Sequence, residues 1–208
     1  MSKIDYKKDF KELYLPKQSP VLIDVPAMNF IMIDGVGDPS GSEYQNAVSA
    51  LYGLSYTIKM KGKDVSGYCE YTVFPLEGLW WTNDGAFDFQ KRNNWLWTSM
   101  IRQPDFVTSK VFEWALELAQ TKKKELDFSN VKFESFEEGL CVQSLHVGPY
   151  SEEPSTIEKM QIYMEENNLL DKTGDIRKHH EIYLSDPNRV SSEKMNTVLR
   201  HPVEKIKG

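Results

Sequence analysis

Apolar positions along the chain change their period in an order that occurs twice. Residues 29–37 form an apolar run that stops at Val36-Gly37 and the turn-rich Asp38-Pro39-Ser40-Gly41-Ser42, which predicts a strand and a turn. From Glu43 to Lys61 the apolar side chains Tyr44, Ala47, Val48, Leu51, Leu54 and Ile58 recur at three- and four-residue steps. That is the period of a helix packing one face on a sheet, with Ser42 as its expected N-cap and Gly62 as its stop. Residues 68–75 are rich in strand formers, and residues 78–81 resume after a turn. Residues 93–101 alternate Trp95, Trp97 and Ser99 against Leu96, Thr98 and Met100. Residues 104–124 return to a helical pattern ending in Lys122-Lys123-Lys124, and basic residues suit a helix C-terminus. The order then repeats. Residues 131–136 and 140–147 are strand-like about a Glu137-Glu138-Gly139 turn, residues 154–168 are helical, and residues 179–185 and 196–205 are strand-like, the last despite Pro202.

The two halves share anchors at constant spacing. Val36-Gly37 and Val147-Gly148 are each followed by a glutamate 33 residues after the glycine, Glu70 in the first half and Glu181 in the second. This predicts an α+β fold made of duplicated β-α-β-β units, spanning about residues 28–103 and 130–206 and joined by a helix over residues 104–124. Residues 1–20 form a lead-in, and residues 21–208 one domain. Strand alternation puts Glu181 and Tyr183 on one face, with Ile182 and Leu184 on the other under the helices. Glu70, Thr72 and Phe74 likewise share a face, opposite Tyr71 and Val73. If the units join edge to edge, Glu70 and Glu181 face each other across a groove lined by tryptophans and tyrosines.

Composition narrows the function classes. With 208 residues, 40% hydrophobic and 12% aromatic, the chain can bury a sizeable core, and no run approaches the roughly 18 apolar residues of a membrane helix. The first ten residues carry charge without an apolar segment of the secretory kind, so a cytoplasmic location is expected. A formal net charge of −6 argues against direct nucleic-acid binding, which needs a basic surface. Cys69 and Cys141 lack metal-site or redox spacing and read as buried, reduced thiols.

Neither glycine-rich phosphate loops nor a GxSxG nucleophile motif occur, and no cofactor is expected. His179 and His180 are adjacent and point to opposite faces, so no metal site is expected either. A carboxylate in an aromatic groove can neutralise a bound cation or activate a water, or it can be an ordinary solvated strand residue. Trp114, on a helix, reads as core, whereas Trp95 and Trp97 read as wall residues of the groove. His146 ends a strand and is either a hydrogen-bonded filler or a groove residue.

Val147-Gly148-Pro149-Tyr150, the run from His179 through Glu181-Ile182-Tyr183 to Pro187, and the stretches 29–39, 68–81 and 95–104 resemble the GyrI-like small-molecule-binding family, especially its stand-alone bacterial members. The resemblance implies paired SHS2-type units with pseudo-twofold symmetry, antiparallel sheets with helices on one face, and a central groove for bulky aromatic or cationic compounds. It places Glu181 in that groove. Some members are similar to hydrolases that open the strained ring of cyclopropanoid alkylating agents. By that likeness Glu181 would act on a water while a tyrosine (Tyr183, Tyr150 or Tyr71) polarises the conjugated carbonyl. Glu70, Tyr71, Phe74, Trp95, Trp97, His146 and Tyr150 are the expected ligand-binding residues. The competing expectations are a non-catalytic drug-sequestering protein and an interaction protein that inhibits DNA gyrase.

Overall fold

The computed structural model describes residues 3–83, 91–174 and 177–206. The chain begins with two single-turn helices, α1 (Tyr6–Asp9) and α2 (Lys11–Tyr14), followed by β1 (Val21–Val25), β2 (Met28–Val36), α3 (Ser42–Lys61), β3 (Leu76–Trp81) and β4 (Leu96–Arg102). Helix α4 (Ser109–Lys122) leads to β5 (Lys132–Phe136), β6 (Gly139–Val147), α5 (Glu153–Glu166), β7 (Leu169–Asp171), β8 (His179–Tyr183) and β9 (Asn196–Lys205). All strand pairs are antiparallel, in the order β1-β6-β9-β8-β3-β4-β2-β5, with β7 added to the far end of β9.

The duplication is visible in matched backbone geometry. Gly37 and Gly148 both take positive φ, 110° and 139°, where a Cβ would be strained, and they turn the chain from β2 into α3 and from β6 into α5. Each donates its N–H to the residue just before the last strand of its own half, Gly37 to Trp95 O at 2.8 Å and Gly148 to Met195 O at 3.0 Å. The outer strands are exchanged between halves. β1 pairs with β6 of the second unit, and β5 pairs with β2 of the first. The expected hairpin about Glu137-Glu138-Gly139 is therefore absent: β5 and β6 are consecutive in sequence and lie near opposite ends of the sheet. Pro202 is tolerated inside β9 because it lies between the register of β8, which reaches Arg200, and that of β7, which begins at Val203.

The halves meet where β3 pairs with β8, and the register of this seam corrects the glutamate pairing expected from spacing. Val36 corresponds to Val147, 111 residues on, and Trp97 to Thr197, 100 residues on, because the connections differ in length. Trp80 sits opposite Trp97 as Tyr183 sits opposite Thr197. The counterpart of Glu181 is therefore Gly78, and these two residues are also direct partners across the seam, so the pseudo-twofold axis passes between them. Residues 68–75, expected as a strand, form only a single bridge from Tyr71 to Ile4 of the lead-in. A Cβ on Gly78 would come within 2.7 Å of Trp80 Nε1 and 3.2 Å of Tyr183 Oη. A second glutamate at the axis has no room.

Helix α3 lies on β2 and β4 through Ala47, Ala50, Leu51, Leu54 and Ile58, and α4 packs outside it through Phe112, Ala115 and Ala119. Trp114 points outward and is exposed, contrary to its expected place in the core, because α4 buries only the stripe containing its alanines. Helix α5 covers β6 and the end of β9, where Met160, Met164, Val142, Leu199 and Val203 form a separate small cluster. Of the two free cysteines, Cys141 is buried as expected, whereas Cys69 is only half-buried in the irregular segment before β3.

The face of the seam opposite these helices carries a buried chain of charges. Tyr14 of α2 donates to Glu77 Oε1 at 3.0 Å, and Glu77 Oε2 lies 3.0 Å from His180 Nε2 at ion-pair distance without hydrogen-bond alignment. His180 Nδ1 donates to Glu138 Oε2 at 3.0 Å, which also accepts from Arg200 at 2.8 Å. Burial alone would push the His180 imidazole down, but Glu138 and Glu77 raise it to about 9. Burial would push Glu138 up, and His180 and Arg200 instead hold it at about 2.

These shifts give a pH window. The Glu138 contribution to stability is complete above its ordinary value near 4.5 and is lost as pH falls through about 2. That of His180 is complete below 6.5 and is lost as pH rises through about 9. Removing one member of a buried pair strands the others, so Glu138→Gln is expected to cost about 3–5 kcal/mol in urea unfolding at pH 6. A loss below about 1 kcal/mol would show that the chain is not holding the seam.

Candidate functional site

Because α3 and α5 stand apart on the same face of the sheet, a cleft of about 1040 Å³ opens between them over the β3–β8 seam. This face carries Glu181 and Tyr183, so the groove lies among the helices and not on a helix-free face as parity alone had placed it. One wall is α3, presenting Tyr44, Val48, Tyr52 and Tyr56 at four-residue steps. These neighbour the stripe that packs on the sheet, so one helix serves both the core and the cleft. The opposite wall is Tyr150, Ser151, Glu153 and Pro154 at the start of α5. Trp80, Trp95 and Phe74 add further aromatic surface, and residues 184–189 close one end. Predominantly aromatic walls with a few polar groups are the usual make-up of a small-molecule pocket.

Glu181 lies on the floor at the symmetry axis, with its side chain 15% exposed. Tyr183, two residues on, accepts a hydrogen bond from Trp80 Nε1 at 2.9 Å, which fixes the phenol over Gly78. Burial, followed by the charge of Glu181, holds the Tyr183 phenol well above 10. The same two causes, in the same order, raise Tyr150, whose ring lies 6.0 Å from that of Tyr183. Tyr44 is pushed up to about 12, chiefly by burial. Burial and then the neighbouring Glu181 charge raise the Glu153 carboxyl to about 10, so that it is a neutral acid at pH 7. Glu153 thus stands in the cleft as a neutral acid beside Glu181 and three neutral phenols, with Asp186 at the end closed by residues 184–189.

Of the residues singled out from sequence, Glu181, Tyr183, Phe74, Trp95 and Tyr150 line the cleft. The others lie outside it. Glu70 is exposed on the segment bridged to the lead-in, where its carbonyl accepts from Ile4 N at 2.7 Å. Tyr71 is buried against Phe106, with ring centroids 5.9 Å apart, which removes it as a donor to a cleft ligand. Trp97 lies flat over Gly35, so close that a Cβ there would meet its ring at 2.2 Å, and is core. His146 links Thr156 Oγ1 at 2.9 Å to the Pro149 carbonyl at 3.1 Å and ties β6 to α5. Tyr44, Tyr52 and Tyr56 recur at multiples of four residues, a readable sign of an aromatic helix face, of which the packing pattern above includes only Tyr44. Glu153 had no such sign, since an acidic residue before Pro154 is an ordinary helix start.

The raised Glu153 carboxyl has a consequence for stability. A carboxyl whose folded value is raised favours the native state fully below its ordinary value near 4.5 and progressively less as pH rises toward about 10. Glu153→Gln keeps the shape and removes the titration. It is expected to raise stability at pH 8 by about 3–4 kcal/mol relative to its effect at pH 5, measured by urea unfolding at both values. An equal effect at the two pH values would mean that Glu153 is ionised in the native protein.

No helix among the described residues is long and apolar enough to cross a membrane. The chain has no match among curated proteins. A solved uncharacterized conserved protein from Listeria innocua is 55% identical, with a TM-score of 0.94, covering 97% of this chain and 100% of that one. Two structures described as a hydrolase from Listeria innocua are 53% and 54% identical, with TM-scores of 0.90 and 0.91. They cover 97% and 98% of this chain and all of theirs. Residues 18–204 match the GyrI-like small-molecule-binding domain, and the chain belongs to that family.

Proposed function

We propose that the cleft binds bulky hydrophobic electrophiles and hydrolyses them, with strained cyclopropanoid compounds as the substrate class. The observation that carries this reading is the single glutamate on an aromatic cleft floor, surrounded by neutral acids. The hydrolase description of relatives above 50% identity is in keeping with it. A planar ligand would stack between the α3 tyrosines and Trp95, which positions the reacting carbon over the seam. Glu181 takes a proton from a bound water as the oxygen forms a bond to the ring carbon. The strained carbon–carbon bond breaks, and its electron pair passes into the conjugated carbonyl. Tyr183 or Tyr150 stabilises the resulting oxyanion and supplies the proton that completes the addition of water.

The Glu181 charge among aromatic rings also favours a second reading, in which the cleft sequesters lipophilic cations without reacting with them. The two are separated by incubating the protein with a cyclopropanoid alkylating agent and following ring opening by mass spectrometry. Glu181→Gln is expected to lower turnover by about 10²–10³-fold while intrinsic tryptophan quenching, reported by Trp80 and Trp95, still shows binding. Binding without turnover in the wild-type protein would leave the sequestering reading in place of the enzyme.

A further inference from the structure

Behind Glu181, away from the mouth of the cleft, runs a row of side chains that the chemistry above leaves unused. Glu181 Oε1 lies 3.1 Å from His179 Nε2. His179 Nδ1 lies 2.8 Å from His201 Nε2, and His201 Nδ1 lies 2.9 Å from Asp171 Oδ2. The members come from three strands. Alternation brings His179 and Glu181 to one face of β8, His201 is on the same face of β9, and β7 places Asp171 beside it. Exposure rises only at the far end. The side chains of His179 and His201 are 9% and 7% exposed, whereas that of Asp171 is 31% exposed. The row thus leads from the cleft floor to solvent through the protein.

We propose that His179, His201 and Asp171 form a proton relay that connects Glu181 with solvent while a ligand fills the cleft. This deepens the hydrolytic reading and rests on it for its role in turnover. The donor and acceptor inventory permits two complete arrangements. In the first, Asp171 accepts from His201 Nδ1, His201 Nε2 accepts from His179 Nδ1, and His179 Nε2 accepts from a protonated Glu181. In the second, every proton has moved one place outward, so that Glu181 is a carboxylate, each ring carries its proton on Nε2, and the extra proton is on Asp171. Neither ring is charged in either arrangement, which suits two buried imidazoles.

During attack, the proton that Glu181 takes from water passes outward along this row. When the oxyanion of the opened product is protonated, one proton returns inward through Glu181 to the donating phenol. Both rings then regain their starting tautomers, and no net proton is consumed. Burial raises the Asp171 carboxyl, but the hydrogen bond it accepts from His201 Nδ1 lowers it to about 2, so the outer end of the row rests as a carboxylate open to water. Burial lowers His201, which disfavours trapping the proton there as an imidazolium. Among the described residues, the other titratable groups acting on the row are Glu138 on His201, and Glu153, Tyr44, Tyr150 and Tyr183 around Glu181.

The wire itself is tested without a substrate, by long-range proton–nitrogen NMR of the full protein labelled with ¹⁵N-histidine. Asp171→Asn keeps an acceptor for His201 but cannot take a proton, and His201→Gln severs the row. Coupling along the row predicts that Asp171→Asn shifts the tautomer signals or titration of His179, which Asp171 does not touch. His179 signals indifferent to Asp171→Asn would overturn the relay, whatever the fate of the hydrolytic reading.

The role in turnover is read with the cyclopropanoid agent. Asp171→Asn is expected to lower kcat about tenfold at unchanged KM, with a larger solvent isotope effect and partial rescue by added imidazole. An unchanged kcat and isotope effect in a protein that does turn over the agent would confine the row to a structural role. Absence of turnover in the wild type would count against the hydrolytic reading alone.

Discussion

The antiparallel pairing of β3 with β8 is the constraint on which the rest depends. The pseudo-twofold axis crosses this pair between Gly78 and Glu181, so a residue at one of these positions competes with its symmetry mate for the same space. The site resolves the competition by divergence. A glycine stands on one strand, with no room for a Cβ between Trp80 and Tyr183, and the carboxylate stands on the other. A duplicated fold thereby yields an asymmetric floor. Two carboxylates at the axis would repel each other, and one would be neutralised by its neighbour. The acid that accompanies Glu181 comes instead from α5, where burial and the Glu181 charge keep Glu153 protonated.

Alternation along β8 ties the two faces of the seam together. Glu181 and Tyr183 face the cleft, with His179 on the same side of the strand, while His180 and Ile182 face the buried charges and core behind it. His180 is held from both sides, by Glu77 of the first half and by Glu138 from the β5–β6 connection, and Arg200 continues the chain to the Leu13 carbonyl of α2. A one-residue slip of β8 would carry Glu181 into that chain and His180 into the cleft. The buried charges therefore act as a lock on register as much as a source of stability, and the floor of the cleft is rigid where its walls are mounted on helices.

Elements with strong periodicity were legible from the sequence: α3 from its apolar steps, β9 to both of its ends, and the repeat itself from Val36-Gly37 and Val147-Gly148. The exchange of β1 and β5 between halves was not, because pairing partners are chosen by tertiary contacts and a two-residue connection looks the same whether or not it closes a hairpin. The match of Glu70 to Glu181 failed for a related reason. Equal spacing along the chain equals structural correspondence only when no loop has changed length, and here the offset falls from 111 to 103 to 100 across one unit. That Glu181 and Tyr183 share one face was legible because strand parity needs only local order, whereas the choice of Glu181 over Glu70 came from the family resemblance. Tyr44 and Glu153 were not legible as cleft residues, because they reach the cleft from helices whose placement over the sheet no local pattern reports.

The electrostatics of the cleft follow from what surrounds Glu181. The side chains set against it are phenols, an imidazole and a neutral carboxyl, which give hydrogen bonds without cancelling its charge. The Arg200 cation lies on the other face, already engaged by Glu138 and Gln143. Had Arg200 faced the cleft, Glu181 would be a structural ion-pair member with little basicity left for a ligand or a water. Placing Arg200 and its partners behind the sheet, with the Arg189–Asp186 pair at the end of the cleft, leaves Glu181 able to attract a cation or accept a proton. The aromatic walls then decide which molecules come close enough to do either.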